Sequence, residues 1–240
     1  MTSTIERLKA TSQGLTEFSR RPRDKFIPVI GEQEARLKEN LAVLEREKIS
    51  LIAEILNDPE LHNLIDQGRI TFAMIRPNLQ LGQRTNLPDP EIEVLIKDRI
   101  KQQFEIVFEL PVVFSADAAS EFYNDVKPAL AELLIPQGAP RCGDALTYWD
   151  SFLNVITGGK TTILLLFDKD ANDHDDYDNA VTRWRGLMGP TLPDPQRDRG
   201  TLRGDFGNRI NNIVHGSDSI NSVRREVLWL ADKIGQTIGV

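Results

Sequence analysis

Three stretches of the chain carry the apolar patterns of β-strands. Residues 70–75 alternate apolar positions, and Pro77 stops the run soon afterwards. Residues 103–114 form a longer run of strand character, and residues 161–167 are continuously β-branched and aliphatic. The composition of this last run predicts a strand that is buried on both faces of a sheet.

Between and after these runs, apolar residues recur at helical spacing. Helices are predicted at 91–102, 116–126, 127–134, 179–187 and 219–234. Strands and helices in this order predict an α+β core of the βαββαβ, ferredoxin-like kind, with four strands and with the helices on one side of the sheet. This core is predicted to occupy residues 70–240.

The first 69 residues are predicted to be a helical extension of that core. Residues 4–20 are loosely amphipathic, and a longer helix starts at Glu32. Leucines recur along it every seven residues: Leu37, Leu44 and Leu51. This stripe fits either a helix that packs on its own domain or a helix that dimerises, and both interpretations stay open.

Composition describes an ordinary soluble globular protein, since 40% of the 240 residues are hydrophobic and 27% are charged. The single cysteine, Cys142, cannot form an internal disulfide. No apolar run reaches the roughly 20 residues that a membrane helix needs, and the N-terminus lacks the apolar core of a signal peptide. We therefore expect a cytoplasmic protein with no membrane partner.

The net charge of −7 argues against nucleic acid as the main partner, because such binding depends on neutralising phosphates. A local cluster of arginines can still hold one nucleotide on an acidic protein. Six arginines crowd into one short region: Arg183, Arg185, Arg197, Arg199, Arg203 and Arg209.

The residues 200–219 combine cations, which can hold an anion, with one imidazole that can accept a phosphoryl group. Within them, residues 201–206 read Thr-Leu-Arg-Gly-Asp-Phe and residues 212–219 read Asn-Ile-Val-His-Gly-Ser-Asp-Ser. These two motifs strongly resemble the nucleoside diphosphate kinase family. The resemblance extends over about residues 70–240, interrupted by insertions, and it implies the ferredoxin-like fold and a catalytic His215.

The resemblance also implies roles for residues at matching positions. Glu226 would orient the ring of His215, and Tyr123, in a Glu-x-Tyr setting, would reach into the active site. Arg185, Thr191 and Arg203 would bind phosphates, and Asn212 would hydrogen-bond the sugar hydroxyls. Guanidinium suits two of these places because its planar fork engages phosphate oxygens bidentately.

Three features depart from the family pattern. Arg76 and Asn78 replace the lysine and aspartate that follow the first strand, and because a guanidinium is not a compact point charge, we expect Arg76 to limit turnover. Residues 129–134 are aliphatic apart from Glu132 and offer no aromatic side chain where the family places one against the base. Residues 136–158 have no clear counterpart.

The reaction that the resemblance implies is ping-pong transfer of a γ-phosphate from a nucleoside triphosphate to a nucleoside diphosphate through phospho-His215. It would need Mg²⁺, held mainly by the nucleotide phosphates. The family also implies a homo-oligomer. The alternative is a nucleotide-binding or scaffold module that keeps the pocket but has lost useful turnover.

The acidic stretch 168–179 opens like a calcium loop, with Asp-x-Asp-x-Asn. Its sixth position is Asp173 where a glycine is needed, and its twelfth is Asn179 where a bidentate glutamate belongs. We therefore interpret it as a solvated insertion. His62 and His174 have no partner pattern and are expected to be structural or exposed.

Overall fold

The computed structural model describes residues 4–19, 32–77, 88–139, 141–171, 178–194, 196–208, 211–234 and 238–239. At its centre is an antiparallel sheet with the strand order β4-β1-β3-β2-β5. The strands are β1 (Ile70–Ile75), β2 (Glu105–Phe114), β3 (Lys160–Phe167), β4 (Val214–Gly216) and β5 (Ile238–Gly239).

The helices surround this sheet. They are α1 (Thr4–Ser19), α2 (Glu32–Leu56), α3 (Pro59–Asp66), α4 (Asp89–Lys101), α5 (Ala116–Phe122), α6 (Lys127–Ala131), α7 (Tyr148–Thr157), α8 (Ala180–Met188), α9 (Leu202–Phe206) and α10 (Ile220–Lys233). The predicted βαββαβ core is confirmed as β1, α4, β2, β3, α8 and β4. The predicted helix 127–134 is shorter, because Leu134 leaves it to form a bridge with Thr147.

Helices cover both faces of the sheet. Phe72 and Met74 of β1 belong to one buried cluster together with residues of α2, α5, α7 and α10. Ala73 and Ile75, which point the other way, belong to a second cluster with residues of α4 and α8. The two crossover helices of the core, α4 and α8, therefore lie on one side as expected, while α2, α5, α7 and α10 cover the other face. This burial on both faces explains why β3 shows no alternation.

The N-terminal extension shares the core of the domain. Buried side chains from its three helices pack in the same cluster as β1: Leu8, Ile52, Ile55, Leu56, Leu61 and Ile65. Helix α1 also lies along the edge of β2, where Ser12 Oγ accepts from the Glu109 N–H at 2.9 Å and donates to the Glu109 carbonyl at 3.2 Å. The packing therefore continues across residue 69.

Residues 136–158, for which the sequence predicts no clear counterpart in the family, carry the anchored helix α7. Thr147 and Asp150 form a reciprocal capping box at its N-terminus. The Cys142 N–H donates to Ser151 Oγ at 2.8 Å, and Asn154 Nδ2 donates to the Cys142 carbonyl at 3.1 Å. The helix is thus tied to the preceding loop as well as to the core.

Of the helices that the structure describes, none is both long and apolar enough to cross a bilayer.

Candidate active site

One cleft gathers the eight residues to which the family resemblance and its departures point as site residues. It has a volume of about 380 Å³. Its lining includes Arg76, Tyr123, Arg185, Thr191, Arg203, Asn212, His215 and Glu226. These side chains come from β1, α5, α8, α9, β4, α10 and the loops between them, so the sheet brings together residues that are up to 150 positions apart in the sequence.

Strand β4 presents His215 to this cleft. The strand is three residues long and pairs antiparallel with β1, which places His215 opposite Met74. The next residue, Gly216, packs against the indole of Trp184: a Cβ built on Gly216 would lie 2.1 Å from Trp184 Nε1. A side chain at this position would therefore push β4 away from helix α8.

A strained turn precedes β4. Ile213 has a φ of +54°, in the left-handed region that β-branched residues avoid, and the Val214 N–H donates to the Asn212 carbonyl at 2.7 Å across it. The turn is held by its surroundings. The Ile213 N–H donates to Asn211 Oδ1 at 2.9 Å, and its carbonyl accepts from the Arg76 N–H at 2.8 Å. This γ-turn sets the direction of Asn212 relative to the strand.

His215 is oriented by a buried carboxylate. Its Nε2 lies 3.3 Å from Oε1 of Glu226, a residue of α10 that is 4% exposed. The other carboxylate oxygen accepts a hydrogen bond of 2.5 Å from Ser217 Oγ. Because a carboxylate accepts, Nε2 carries the proton, and the lone pair of the neutral ring is on Nδ1. Nδ1 forms no hydrogen bond to the residues that the structure describes.

Aromatic rings fix the imidazole from the side. Phe122 and Tyr123 each meet it edge-on with centroids 5.5 Å away, and Phe72 lies 6.4 Å away. Burial raises the pKa of the Tyr123 phenol, so the hydroxyl is protonated at neutral pH and can donate a hydrogen bond. The ring of His215 is therefore held rigidly while one nitrogen stays accessible.

Four guanidinium groups line the same cleft. Arg225 pairs with Asp125, which leaves three to consider: Arg76, Arg185 and Arg203. Arg203 is 5% exposed and donates to the carbonyls of Val214 and Gly189. Burial, and then the charges of Arg76 and Arg185, lower its pKa to about 9, so it remains charged at neutral pH. Within the described residues, none of the three arginines forms a salt bridge. Such unbalanced positive charge favours an anionic ligand.

Asn212 and Thr191 close the opposite side of the arginine cluster. Asn212 Oδ1 accepts from Arg76 Nη1, and Asn212 Nδ2 donates to the Thr191 carbonyl at 3.3 Å. Thr191 is exposed at the mouth of the cleft, as is Arg185. Arg185 and Thr191 are therefore accessible to a ligand at the surface, whereas Arg76 and Arg203 are buried.

The other arginines of the crowded region have different partners. Arg183 is 3.1 Å from the fully buried Asp168, and Arg197 is 3.1 Å from Asp198. Arg199 is exposed and does not line the cleft. Arg209 and the departure at Asn78 lie outside the described residues.

The remaining histidines and the acidic stretch are separate from the cleft. His62 Nε2 lies 3.0 Å from the Leu56 carbonyl in the extension. His174 and the centre of the acidic stretch lie outside the described residues. Across the part of the chain that is described, no group of three or more His, Cys, Asp or Glu side chains could hold a metal ion.

Sequence reasoning missed three contributors to this site. Ser217 lies inside the His-Gly-Ser-Asp motif, but the motif alone does not predict its hydrogen bond to Glu226. Phe122 sits beside Tyr123. Phe152 reaches the cleft from α7, and the aromatic cluster of Tyr148, Trp149 and Phe152 in the sequence was a signal for a packed helix.

Part of the cleft lies in a region of the chain that resembles known proteins. Residues 142–233 match the family model described as nucleoside diphosphate kinase. Over these residues the chain is similar to the nucleoside diphosphate kinase family. The match contains His215, Glu226 and four of the predicted phosphate and sugar contacts, while Arg76 and Tyr123 precede it. It also contains residues 142–158, so the prediction that the segment 136–158 has no counterpart in the family is wrong for helix α7 and the loop before it.

Among similar proteins, a nucleoside diphosphate kinase of Wolbachia pipientis subsp. Culex pipiens is 53% identical over 83 residues, which are 34% of this chain and 52% of that protein. One from Rickettsia canadensis is 37% identical over 90 residues, covering 37% and 57% of the two chains. The chain spans about half the length of these curated relatives.

Among solved structures, the apo nucleoside diphosphate kinase of Encephalitozoon cuniculi superposes with a TM-score of 0.49 at 22% identity. The superposition covers 69% of this chain and 91% of that one.

Proposed function

We propose that this chain transfers the γ-phosphate of a nucleoside triphosphate to a nucleoside diphosphate through a phosphorylated His215. The observation that carries the proposal is the arrangement of the imidazole. Glu226 holds Nε2, and Nδ1 is left as the free nucleophile in a cleft with three uncompensated arginines. A histidine nucleophile splits the transfer into two steps of similar difficulty.

In the first half-reaction, the Nδ1 lone pair attacks the γ-phosphorus. A P–N bond forms as the bond between this phosphorus and the β,γ-bridging oxygen breaks, and the nucleoside diphosphate leaves. The imidazole gains positive charge, which Glu226 stabilises through the Nε2 proton. In the second half, a terminal β-phosphate oxygen of another nucleoside diphosphate attacks phosphorus, and the P–N electron pair returns to Nδ1.

The arginines stabilise the negative charge of the phosphate oxygens in both half-reactions. Phosphoryl transfer depends on aligning the groups and stabilising charge on the phosphate oxygens. Arg185, Arg203 and Thr191 would hold the phosphate chain, and Asn212 would contact the sugar. The phenol of Tyr123 and the guanidinium of Arg76 would lie beside the transferred group.

Mg²⁺ fits this cleft as part of the nucleotide. The carboxylates that line the cleft already have partners: Asp125 pairs with Arg225, Asp218 accepts from Ser222, and Glu226 binds His215 and Ser217. This leaves no dedicated cage among them, which suits an ion that is held mostly by phosphates. When bound, the ion would neutralise phosphate charge, while Arg185 and Arg203 hold the remaining oxygens.

The test is a coupled assay with Mg²⁺, ATP and a second nucleoside diphosphate. We expect double-reciprocal plots at several diphosphate concentrations to be parallel, as ping-pong kinetics require. Intersecting lines would mean that both nucleotides bind together, without a phosphoenzyme. Tight binding of ATP with no turnover would instead support a nucleotide-binding scaffold.

Glu226 is expected to control rate through the ring and not through contact with the nucleotide. Changing Glu226 to alanine should lower kcat about 10- to 100-fold, less than the ~10⁴ that a wrongly fixed tautomer can cost, because Nδ1 remains available. Ser217→Ala, which removes only the bond to the second oxygen, should cost less. Steady-state kinetics on both variants check this. Equal losses would contradict a role of Glu226 in orienting His215.

We also propose that the protein acts in the cytoplasm as a homo-oligomer that uses the leucine stripe of α2. Leu44 and Leu51 are 52% and 44% exposed, whereas the side chain of Leu37 lies outside the described residues. Helix α1 already occupies part of the β2 edge, through the two bonds of Ser12. The stripe is therefore the surface we favour for assembly.

Placing charge on this stripe should reduce the molar mass in solution. We expect Leu44→Glu with Leu51→Glu to give a smaller species by light scattering, because two carboxylates would be buried in the contact. Val94→Glu, at a 56% exposed site on α4, is the matched control. An unchanged mass in the double variant would exclude the stripe as the contact.

A further inference from the structure

Helix α7 brings an aromatic ring to the cleft. Phe152 lines it together with Arg76 and Tyr123. The guanidinium carbon of Arg76 lies 5.1 Å from the centroid of Phe152 and 5.7 Å from that of Tyr123. The two rings meet edge-on, with centroids 4.7 Å apart and planes at 80°. Arg76 therefore packs against the faces of two rings that are themselves packed together.

The Arg76 side chain depends on these rings for its environment. The residue is 7% exposed. Its Nη1 donates to Asn212 Oδ1 and its Nη2 to the Tyr123 hydroxyl, while its buried Nε has no hydrogen-bond partner among the described residues. Two neutral oxygens accept hydrogen bonds from the guanidinium, and the faces of the two rings attract its positive charge. A buried cation in this setting would be further stabilised by an anion.

Phe152 is itself held firmly. Its ring contacts Trp149, one turn earlier on α7, with centroids 5.5 Å apart. Trp149 is 6% exposed and lies in the main buried cluster, against which Phe152 packs. Because α7 is capped and tied to the Cys142 loop, the ring has a fixed position relative to β1.

We propose that Phe152 is a positioning residue that holds the Arg76 guanidinium toward the phosphates, so that helix α7 is part of the active site. The proposal rests on the proposed function, since it assigns Arg76 to the phosphate chain. It also reverses the expectation that Arg76 limits turnover. A lysine ammonium lacks the planar fork, so it could not bond both Asn212 and Tyr123 while packing against the two rings. Arg76→Lys should therefore weaken phosphate binding.

A double-mutant cycle tests the coupling without requiring turnover. The ligand is inorganic tripolyphosphate with Mg²⁺, which offers the phosphates of a nucleotide but neither base nor sugar, and calorimetry on the full chain gives its affinity. The variants are Phe152→Leu, Arg76→Lys and the double variant. Phe152→Met serves if the leucine variant does not fold. Leu153→Ala is the control, because Leu153 is a partly buried neighbour on α7 that does not line the cleft.

We expect Phe152→Leu to weaken tripolyphosphate binding about tenfold when residue 76 is arginine, and less than about twofold when it is lysine. Leu153→Ala should leave the affinity unchanged even if it lowers the melting temperature. Equal losses in both backgrounds would overturn the proposal, since Phe152 would then act independently of Arg76. Weaker binding of ATP with unchanged binding of tripolyphosphate would also overturn it, because the ring would then contact the base or sugar.

The cycle separates this proposal from the catalytic one. A chain that shows the coupling but never phosphorylates His215 would contradict the proposed reaction and keep the role of Phe152. A chain that phosphorylates His215 normally after Phe152→Leu, with unchanged tripolyphosphate affinity, would retain the reaction and exclude that role.

Discussion

Replacing Arg203 with glutamine is expected to weaken binding of Mg²⁺-ATP about 100-fold or more. Arg203 is buried at the base of the cleft, where burial and two neighbouring guanidiniums lower its pKa to about 9. A bound phosphate should therefore stabilise the charge of Arg203 more than it would stabilise the charge of an exposed arginine. Hydrogen bonds to charged groups contribute about 1.5–3 kcal/mol each, and a bidentate contact would lose two of them.

Two comparisons make this result specific. Arg203→Lys keeps the charge but loses the fork, so we expect an intermediate affinity by calorimetry. Arg199→Gln changes an exposed arginine a few residues away that does not line the cleft, and it should bind ATP normally. Melting temperatures of all three variants would show whether lost bonds to the Val214 and Gly189 carbonyls alter folding. Equal affinities for the glutamine variants at 203 and 199 would contradict the assignment of Arg203.

The longer strands and helices could be predicted because their apolar periods persist over many residues. Strand β4 could not, because three residues are too few to show alternation. Nor could the packing of the extension: amphipathic helices reveal that a face is buried but not against what. Leu8 and Ile52 in the core of the sheet domain are therefore a finding of the structure.

Part of the candidate site could also be predicted from the sequence, and part could not. The motif around His215 is contiguous, so the residue types alone place an imidazole, an asparagine and a serine together. The γ-turn at Ile213 was hidden, because a β-branched residue between Asn212 and Val214 predicts extended backbone. The role of Phe152 could not be predicted for another reason: it contacts Arg76, which lies 76 positions away in the sequence. Such a contact is determined by tertiary packing.

Replacing His215 with alanine is expected to abolish turnover, with a loss of at least about 10⁴-fold in kcat. The side chain supplies the nitrogen to which phosphorus transfers, and among the described residues that line the cleft His215 is the only histidine. ATP affinity should change far less, since the arginines and Thr191 remain. His62→Ala, in the extension, is the matched control and should keep full activity. Substantial turnover in the His215→Ala protein would place the chemistry on another group.

The most direct test is the chemical form of the phosphate on the protein after incubation with γ-labelled ATP and Mg²⁺. Because Nε2 is held by Glu226, we expect one phosphate on Nδ1 of His215, labile in acid and stable in base. Any nucleoside diphosphate should discharge it, and phosphorus NMR can distinguish the two ring nitrogens. Acid-stable label on a hydroxyl such as Ser217 or Ser219, or label that persists after His215→Ala, would contradict transfer through this histidine.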